Sequence, residues 1–263
     1  MTLYTILSQV RTEECKRIMA AEKKKHYWLH RITGGANAKK LSHPLLFKHS
    51  ILTTGWARLS WDEFVTKSQG DWNTFIKEFK LEYPSLGNFR SLWNFLEMKK
   101  GDIVVVPTVG KFSLYRVADN NVYTNQSLSS IISEDDLLDK YGKKAYVDID
   151  NDGYSYLFDE DGDFIDLGFF RRVEPIVKHL RRSSCKDGLR NMMSVPRTNI
   201  NLDGVQNYID PIINQYDIDF EEPEEDEEDY YSPTSWDRDP DETDEEYMER
   251  MQDQEDFLEY FDE

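Results

Sequence analysis

Aromatic side chains that stand beside small polar residues are the part of this sequence best suited to a chemical role. A planar base that has left a nucleic-acid stack recovers stacking energy between aromatic faces, while polar groups bind its edge. Candidate walls for such a pocket are Trp28, Trp56, Trp61, Trp93 and Tyr115. Candidate contacts to the edge of the base are Thr53, Thr54, Asp102 and Ser113. The alternative is that these rings are core residues. Trp56 is the strongest candidate for a pocket mouth, because it follows Gly55 at a predicted strand end.

Lysine and arginine side chains supply the charge that a nucleic-acid backbone would require. Candidate phosphate contacts are Arg31, Lys39, Lys40, Arg58, Lys99, Lys100, Arg171, Arg172, Arg181 and Arg182. Their alternative role is that of ordinary solvated surface residues. The arginine doublets are the better candidates, because guanidinium groups bind phosphate oxygens in a bidentate manner.

The net charge of -19 is unevenly distributed along the chain. Residues 217–263 contain 24 acidic residues and 2 arginines, whereas residues 1–216 carry a small positive excess. The negative charge therefore lies in the tail, residues 217–263. The body, residues 1–216, has a slightly positive net charge, which is compatible with binding a nucleic acid. Few apolar residues and strong self-repulsion predict that this tail is largely disordered.

Other chemistries match the sequence only in part. Residues 148–159 resemble the first half of a calcium-binding EF-hand loop, but their flanks are β-prone. Glu78 to Lys80 and Glu97 to Lys99 each supply half of a nuclease-type metal site, and both lie on predicted helices. His26 and His30 lack a completing zinc ligand. With neither a glycine-rich phosphate loop nor a nucleophile elbow, the sequence indicates no metal and no cofactor, and it favours a non-catalytic role while leaving an enzyme open.

The composition is typical of a cytoplasmic protein with one substantial hydrophobic core. Hydrophobic residues make up 39% and aromatic residues 13% of 263 residues. Apolar runs of about 18 residues are missing, and the first residues are too charged for a secretory signal, so no membrane association is expected. Cys15 and Cys185 are too few for a disulfide framework and are expected to be free thiols.

A central β-hairpin organises the predicted fold. The β-branched run Ile103 to Val106 follows a Gly-Asp turn, and a second run extends from Phe112 to Val117. The first run does not alternate between apolar and polar residues, so we expect that strand to be covered on both faces.

The remaining patterns predict an α+β protein in which helices are inserted into a curled sheet or small barrel. Helices are predicted at 3–21, 61–83 and 89–98, with a short acidic helix in 128–141; strands are predicted at 26–32, 51–57, 145–149, 154–158 and 164–173. The expected organisation is an N-terminal helix at 1–22, a β-barrel domain at 23–175, a small helical appendage at 176–216 and the acidic tail at 217–263.

Four short signatures in this order resemble the PUA-like group of domains: residues 27–32 (YWLHRI), 52–56 (LTTGW), 98–107 (MKKGDIVVVP) and 167–173 (LGFFRRV). More narrowly, they are similar to EVE-type domains found in bacterial restriction and defence proteins and related to YTH readers. The resemblance covers residues 23–175 and implies a small mixed β-barrel whose aromatic pocket accepts a modified base.

The resulting expectation is a non-catalytic reader of DNA or RNA that accommodates a modified base, with a role in bacterial defence. The alternative is a protein-interaction module whose acidic tail engages a basic partner. A tethered polyanion also competes with nucleic acid for the same cations, so the tail is expected either to be autoinhibitory or merely to solubilise the chain.

Overall fold

The architecture is known from a computed structural model, which describes residues 25–32, 36–87, 89–195 and 198–216. The predicted N-terminal helix at 1–22 and the acidic tail at 217–263 lie outside these residues. Within them, the chain contains both strands and helices, with a group of three helices between the second and third strands, which confirms the predicted mixed α+β class.

The described residues form ten strands and six α-helices. The strands are β1 (Tyr27–His30), β2 (Ile51–Thr54), β3 (Ile103–Pro107), β4 (Lys111–Val117), β5 (Tyr123–Thr124), β6 (Ala145–Ile149), β7 (Ser155–Asp159), β8 (Phe164–Ile165), β9 (Phe169–Arg181) and β10 (Asn199–Asn201). The helices are α1 (Ala36–Phe47), α2 (Asp62–Ser68), α3 (Trp72–Glu82), α4 (Arg90–Glu97), α5 (Asp187–Ser194) and α6 (Gln206–Tyr216).

The larger sheet has seven strands in the order β10-β1-β3-β4-β9-β2, with β5 also paired to β9. β1 and β3 run parallel, and the other pairs in this sheet run antiparallel. The 13-residue strand β9 pairs first with β2 and β5 and later with β4. Because one long strand serves both parts, the sheet curls into a half-barrel.

The strand β3 is covered on both faces, as its unbroken apolar run predicts. Val104 and Val106 belong to a core that includes residues of α2, α3 and α4. Ile103 and Val105 point the other way, into a core that includes residues of α5 and α6. Two helical layers therefore enclose the central hairpin of β3 and β4, and this hairpin is confirmed.

The single helix predicted over 61–83 is wrong, because the segment forms two helices, α2 and α3. Gly70 lies between them with a φ of 78°, a conformation that glycine adopts without strain. Asp71 then caps α3, its Oδ1 accepting from the backbone N–H groups of Asn73 at 3.0 Å and Thr74 at 3.2 Å. The glycine and the capping carboxylate together outweigh the continuous helical spacing of the aromatic residues.

Residues 176–216 do contain helices, but the description of this segment as a separate appendage is corrected. β9 continues to Arg181, well beyond the predicted strand end at 173, and β10 adds an edge strand beside β1. Asp203 further joins the segment to β1, because its Oδ1 accepts from the backbone N–H of Tyr27 at 2.9 Å. Residues 176–216 thus complete the larger sheet and its second core.

The smaller sheet has three antiparallel strands in the order β6-β7-β8. Its first hairpin confirms the predicted Asp-Gly turn, since Asp150 Oδ1 accepts from the backbone N–H groups of Asp152 and Tyr154, each at 2.9 Å. This aspartate therefore organises a turn, which gives it a local role without calcium. Among the described residues, no group of three or more acidic, histidine or cysteine side chains has a metal-binding arrangement.

Candidate nucleic-acid interface

Trp28 and Asp102 form a buried pair beneath the central hairpin and do not line an open pocket. Trp28 Nε1 donates to Asp102 Oδ2 at 2.8 Å, and Asp102 is only 2% exposed. The same carboxylate accepts from the backbone N–H groups of His26 at 2.9 Å and Lys99 at 3.0 Å. Because these bonds occupy both oxygens, Asp102 fixes the turn before β3, and its predicted contact with a base edge is corrected.

Four more predicted pocket residues lie inside the protein: Thr53, Thr54, Ser113 and Tyr115. Ser113 Oγ accepts from the backbone N–H of His179 at 3.1 Å. The Tyr115 ring lies edge-on to the ring of Phe47, with centroids 6.5 Å apart. These four side chains are core positions, which corrects their expected place in an open pocket. Ser113 and Tyr115 nevertheless contact two partly exposed residues, His179 and Phe47 respectively, from below.

Arg171 is fully buried, and its guanidinium binds carbonyl groups at the C-terminal end of a helix instead of a phosphate. Its guanidinium donates to the carbonyl oxygens of Phe95 at 2.8 Å and Leu96 at 2.6 Å, in the last turns of α4. Helix carbonyls at this end have no partner within the helix, so a buried cation satisfies them. Burial lowers the pKa of Arg171 to about 10. The predicted phosphate contact of Arg171 is therefore wrong, whereas its neighbour Arg172 is exposed.

Trp56 lies at a constrained turn on the helical side of the sheet. Its backbone is left-handed, with a φ of 70°, which is unusual for a bulky side chain. The next residue, Ala57, holds the turn in place by donating its N–H to Asp166 Oδ1 at 2.9 Å. The partly exposed Trp56 ring meets Phe79 and Tyr83 edge-on, at centroid distances of 5.0 and 5.2 Å. Its packing against two further rings places Trp56 at the margin of the core.

Trp61 and Trp93 are also partly exposed, but each belongs to a different neighbourhood. The Trp61 ring lies 5.0 Å from that of Tyr154. The Trp93 ring packs against Trp72 at 5.0 Å and Phe75 at 5.2 Å, between α4 and α3. The tryptophans are thus divided between the sheet interior and the helical layer. The structure does not bring the predicted aromatic residues together in one pocket.

A different cluster forms where β4 and β9 lose their regular register. Phe112 pairs with Leu180 and Leu114 pairs with Val177, so two residues of β9 lie opposite Ser113 alone. This is a β-bulge, which commonly re-aims a side chain. One of the two bulged residues is His179, whose φ of 61° lies in the left-handed region.

The bulge brings the His179 ring onto the end of α1. Phe47, the last residue of α1, stacks on His179 with centroids 5.3 Å apart and planes at 26°. On the same helix His43 lies 4.5 Å from the Phe47 ring. His43 is buried, whereas Phe47 and His179 remain partly exposed. An aromatic pair is therefore present at the surface, between a helix end and a bulged strand.

Positive charge surrounds this aromatic pair. Lys178 Nζ donates to the carbonyl oxygen of Phe47 at 3.2 Å, at the negative end of the helix dipole. Lys140 lies beside α1, because its N–H donates to the carbonyl of Lys40 at 2.9 Å. The pKa of His43 is lowered to about 4, first by burial and then by the charges of His179 and Lys140. Burial is the main cause of this depression of the pKa, and the two positive charges add to it.

Arginine side chains extend the positive region beyond the end of β9. Arg181 is exposed and pairs in register with Lys111. Arg182 Nε donates to the carbonyl of Lys111 at 3.3 Å. The pKa of Arg31 is lowered to about 10 by burial and by the charge of Arg182. The Arg31 guanidinium donates to the carbonyls of Met193, in the last turn of α5, and Val195, just after it, so its role is largely structural.

We call this surface the basic face, and it consists of Phe47, His179, Lys140 and Lys178, with His43 beneath, together with Lys111, Arg181 and Arg182 at the adjoining ends of β4 and β9. The other predicted cations are scattered. Lys39, Arg58, Lys99, Lys100 and Arg172 are exposed on separate elements. Lys99 also lines an open groove of about 580 Å³ between α2, α4 and the loop after β4. None of the predicted base-contacting residues lines that groove.

Sequence reasoning missed Phe47, His43 and His179 as possible site residues. Phe47 lies in an apolar run at a helix end, where it has the pattern of a core residue. His179 stands in a strand, and only the bulge places it opposite Phe47. The one available signal was the concentration of positive charge from Lys178 to Arg182.

None of the helices in the described part of the chain has the length and hydrophobicity needed to cross a membrane. Comparisons with protein-family models, with curated proteins and with solved structures found no match to this chain.

Proposed function

We propose that this chain is a non-catalytic nucleic-acid reader that uses the basic face. The observation that carries the proposal is the stacked pair of Phe47 and His179, which is partly exposed and has Lys178 beside it. The cations would neutralise phosphates, and the rings would receive an unstacked base. Stacking on a protein ring contributes about 1–3 kcal/mol per base.

The geometry of the bulge supports a functional role for His179. A left-handed conformation of a non-glycine residue costs on the order of 1–3 kcal/mol, and such strain is concentrated at functional sites. Ser113 holds the backbone N–H of His179, so the ring is presented by a fixed strand rather than by a mobile loop. A rigid presentation reduces the entropy cost of binding.

The PUA-like resemblance supplies the more specific part of the proposal. The curled half-barrel is compatible with a PUA-like domain of the EVE type, and on that basis we propose that the accepted base is modified and that the chain acts in bacterial defence. The proposed stacking residues are now Phe47 and His179 instead of the tryptophans. Arg181 and Arg182 remain proposed phosphate contacts.

Charge reversal tests the phosphate contacts. Arg181→Glu should weaken the binding of a labelled oligonucleotide by about tenfold at low salt, because it replaces an attractive charge with a repulsive one. Arg58→Glu is the matched control, since Arg58 is equally an exposed arginine but lies away from the basic face. The measurement is fluorescence anisotropy with full-length protein. Equal losses for the two variants would contradict the proposed interface.

The base-stacking role is tested separately by His179→Gly. Glycine accepts the left-handed conformation, so the variant removes the imidazole while preserving the bulge. We expect the preference for a modified over an unmodified oligonucleotide to decrease, with thermal stability nearly unchanged. An unchanged preference would show that the base does not stack on His179.

A further inference from the structure

The outer face of the smaller sheet carries a continuous set of aromatic rings. Tyr146 pairs with Phe158, which in turn pairs with Phe164, so the three rings form one row across the strands. Tyr146 and Phe158 stack with centroids 5.9 Å apart, and Phe158 lies 6.2 Å from Phe164. Tyr156 joins the row through an edge contact with Phe164 at 5.9 Å. We call these four residues the aromatic platform.

The platform is not needed to complete a core. Alternate residues of the same strands, Ala145, Leu157 and Ile165, point to the opposite face and are buried in a separate hydrophobic cluster. Tyr146 and Phe164 are 40% and 45% exposed. Contiguous exposed apolar surface of this kind is characteristic of an interaction site. The alternation therefore leaves one complete side of the sheet available to a partner.

The charges beside the platform are mostly acidic, although Lys143 pairs with Glu160 at 2.6 Å and Asp161 at 3.5 Å. Residues 145–165 contain seven acidic side chains and no lysine or arginine. Asp148 lies on the platform side, because it is the cross-strand partner of Tyr156. Asp152 and Asp163 are exposed in the two loops that connect the strands. A phosphate backbone would be repelled by these carboxylates, whereas a cationic partner would be attracted.

We propose that the aromatic platform binds an arginine-rich segment of a partner protein. A guanidinium group stacks flat on an aromatic ring and can also donate a bidentate pair of hydrogen bonds to a carboxylate. The platform offers both features side by side, with rings across three strands and carboxylates at their ends. Lysine is a poorer match, because its ammonium group is compact and strongly hydrated. This surface is distinct from the basic face.

The test compares two peptides of equal length and charge, one with repeated arginine and the other with repeated lysine. Binding to the full-length protein is measured by fluorescence anisotropy at low salt. We expect the arginine peptide to bind about fivefold more tightly than the lysine peptide, a ratio that reflects ring stacking rather than net charge. The acidic tail also carries carboxylates and aromatic rings that bind guanidinium groups, so variants of the platform rings are needed to assign this ratio to the platform. No preference for arginine would overturn the proposal.

Ring removal then locates the preference. Tyr146→Ser and Phe164→Ser should each reduce the arginine-to-lysine ratio to below about twofold. Tyr141→Ser is the matched control, because Tyr141 is 64% exposed but precedes the strands of the platform. This variant should retain the full ratio. Loss of the ratio in the control as well, or its retention in both platform variants, would overturn the proposal.

A charge variant provides a test of the proposal that remains valid if the ring variants misfold. Asp148→Asn removes one carboxylate and no ring, so it should weaken arginine-peptide binding by about threefold with an unchanged circular dichroism spectrum. Unchanged affinity would contradict the proposal. Sedimentation of the protein without peptide tests whether a second copy of the chain occupies the surface instead. Dimerisation that Phe164→Ser abolishes would identify a second copy of the chain as the partner and overturn the arginine assignment.

Discussion

The basic face and the aromatic platform both combine rings with charges, but they do so in opposite ways. On the basic face, Phe47 and His179 are partly enclosed by a helix end and a bulge, and the surrounding charges are positive. On the platform, rings such as Tyr146 are open to solvent and the nearby charges are mostly negative, with Lys143 paired to two of the carboxylates. In the two proposals, the aromatic rings account for a flat ligand, and the sign of the neighbouring charge distinguishes a base with its phosphates from a guanidinium group.

The largest expected difference between the two regions is in stability. Tyr115, beneath the basic face, is fully buried, whereas Tyr146 on the platform is 40% exposed. Tyr115→Ala should lower the free energy of unfolding by about 3–5 kcal/mol because it leaves a cavity. Tyr146→Ala should lower it by less than about 1 kcal/mol. Urea denaturation measures both, and similar losses would show that the platform is part of the core.

The response to pH should also separate the regions. The pKa of His43 beneath the basic face is about 4, well below its ordinary value of 6.5, so the unfolded chain binds the proton more readily. Stability from this residue is complete above about pH 6.5 and decreases as the pH falls toward 4, by on the order of 2–3 kcal/mol. His43→Gln should flatten the pH dependence of urea denaturation, while Tyr146→Ser should not. Equal slopes for His43→Gln and the unsubstituted protein would contradict this assignment.

The smallest expected effect comes from the acidic tail and has opposite signs at the two regions. If the tail competes with nucleic acid for the basic face, deleting residues 217–263 should raise oligonucleotide affinity several-fold at low salt. The same deletion should weaken the binding of both cationic peptides, because it removes negative charge. The gain in oligonucleotide binding should shrink as salt is added. Equal oligonucleotide affinity with and without the tail at low salt would eliminate autoinhibition.

Local sequence patterns predicted most of the secondary structure. The central hairpin, the Asp-Gly turn and the coverage of β3 on both faces are confirmed. The predictions failed at a local helix break that the spacing of the aromatic residues concealed, and at a strand continuation that depended on a distant contact. Gly70 and Asp71 divided a predicted helix, and β9 extended to Arg181 because β4 was available to pair with it.

The candidate site was much harder to predict than the strands. The tryptophans drew attention because of their size, yet Trp28 is held in the interior by Asp102. Arg171 looked like a surface cation, but α4 supplies carbonyl groups that bind it internally. Residue type determines what chemistry a side chain can perform. Only its neighbours in the folded protein determine whether the side chain faces solvent.

The sequence by itself determined the class of fold, the positions of the central strands and the separation of charge between body and tail, because these follow from local periodicity and composition. Tertiary structure decided which rings and charges meet. Phe47 and His179 are far apart in the chain and are joined only by the bulge between β4 and β9. The platform likewise exists only because strand register aligns Tyr146, Phe158 and Phe164. Register and bulges arise from long-range pairing, which no local pattern specifies.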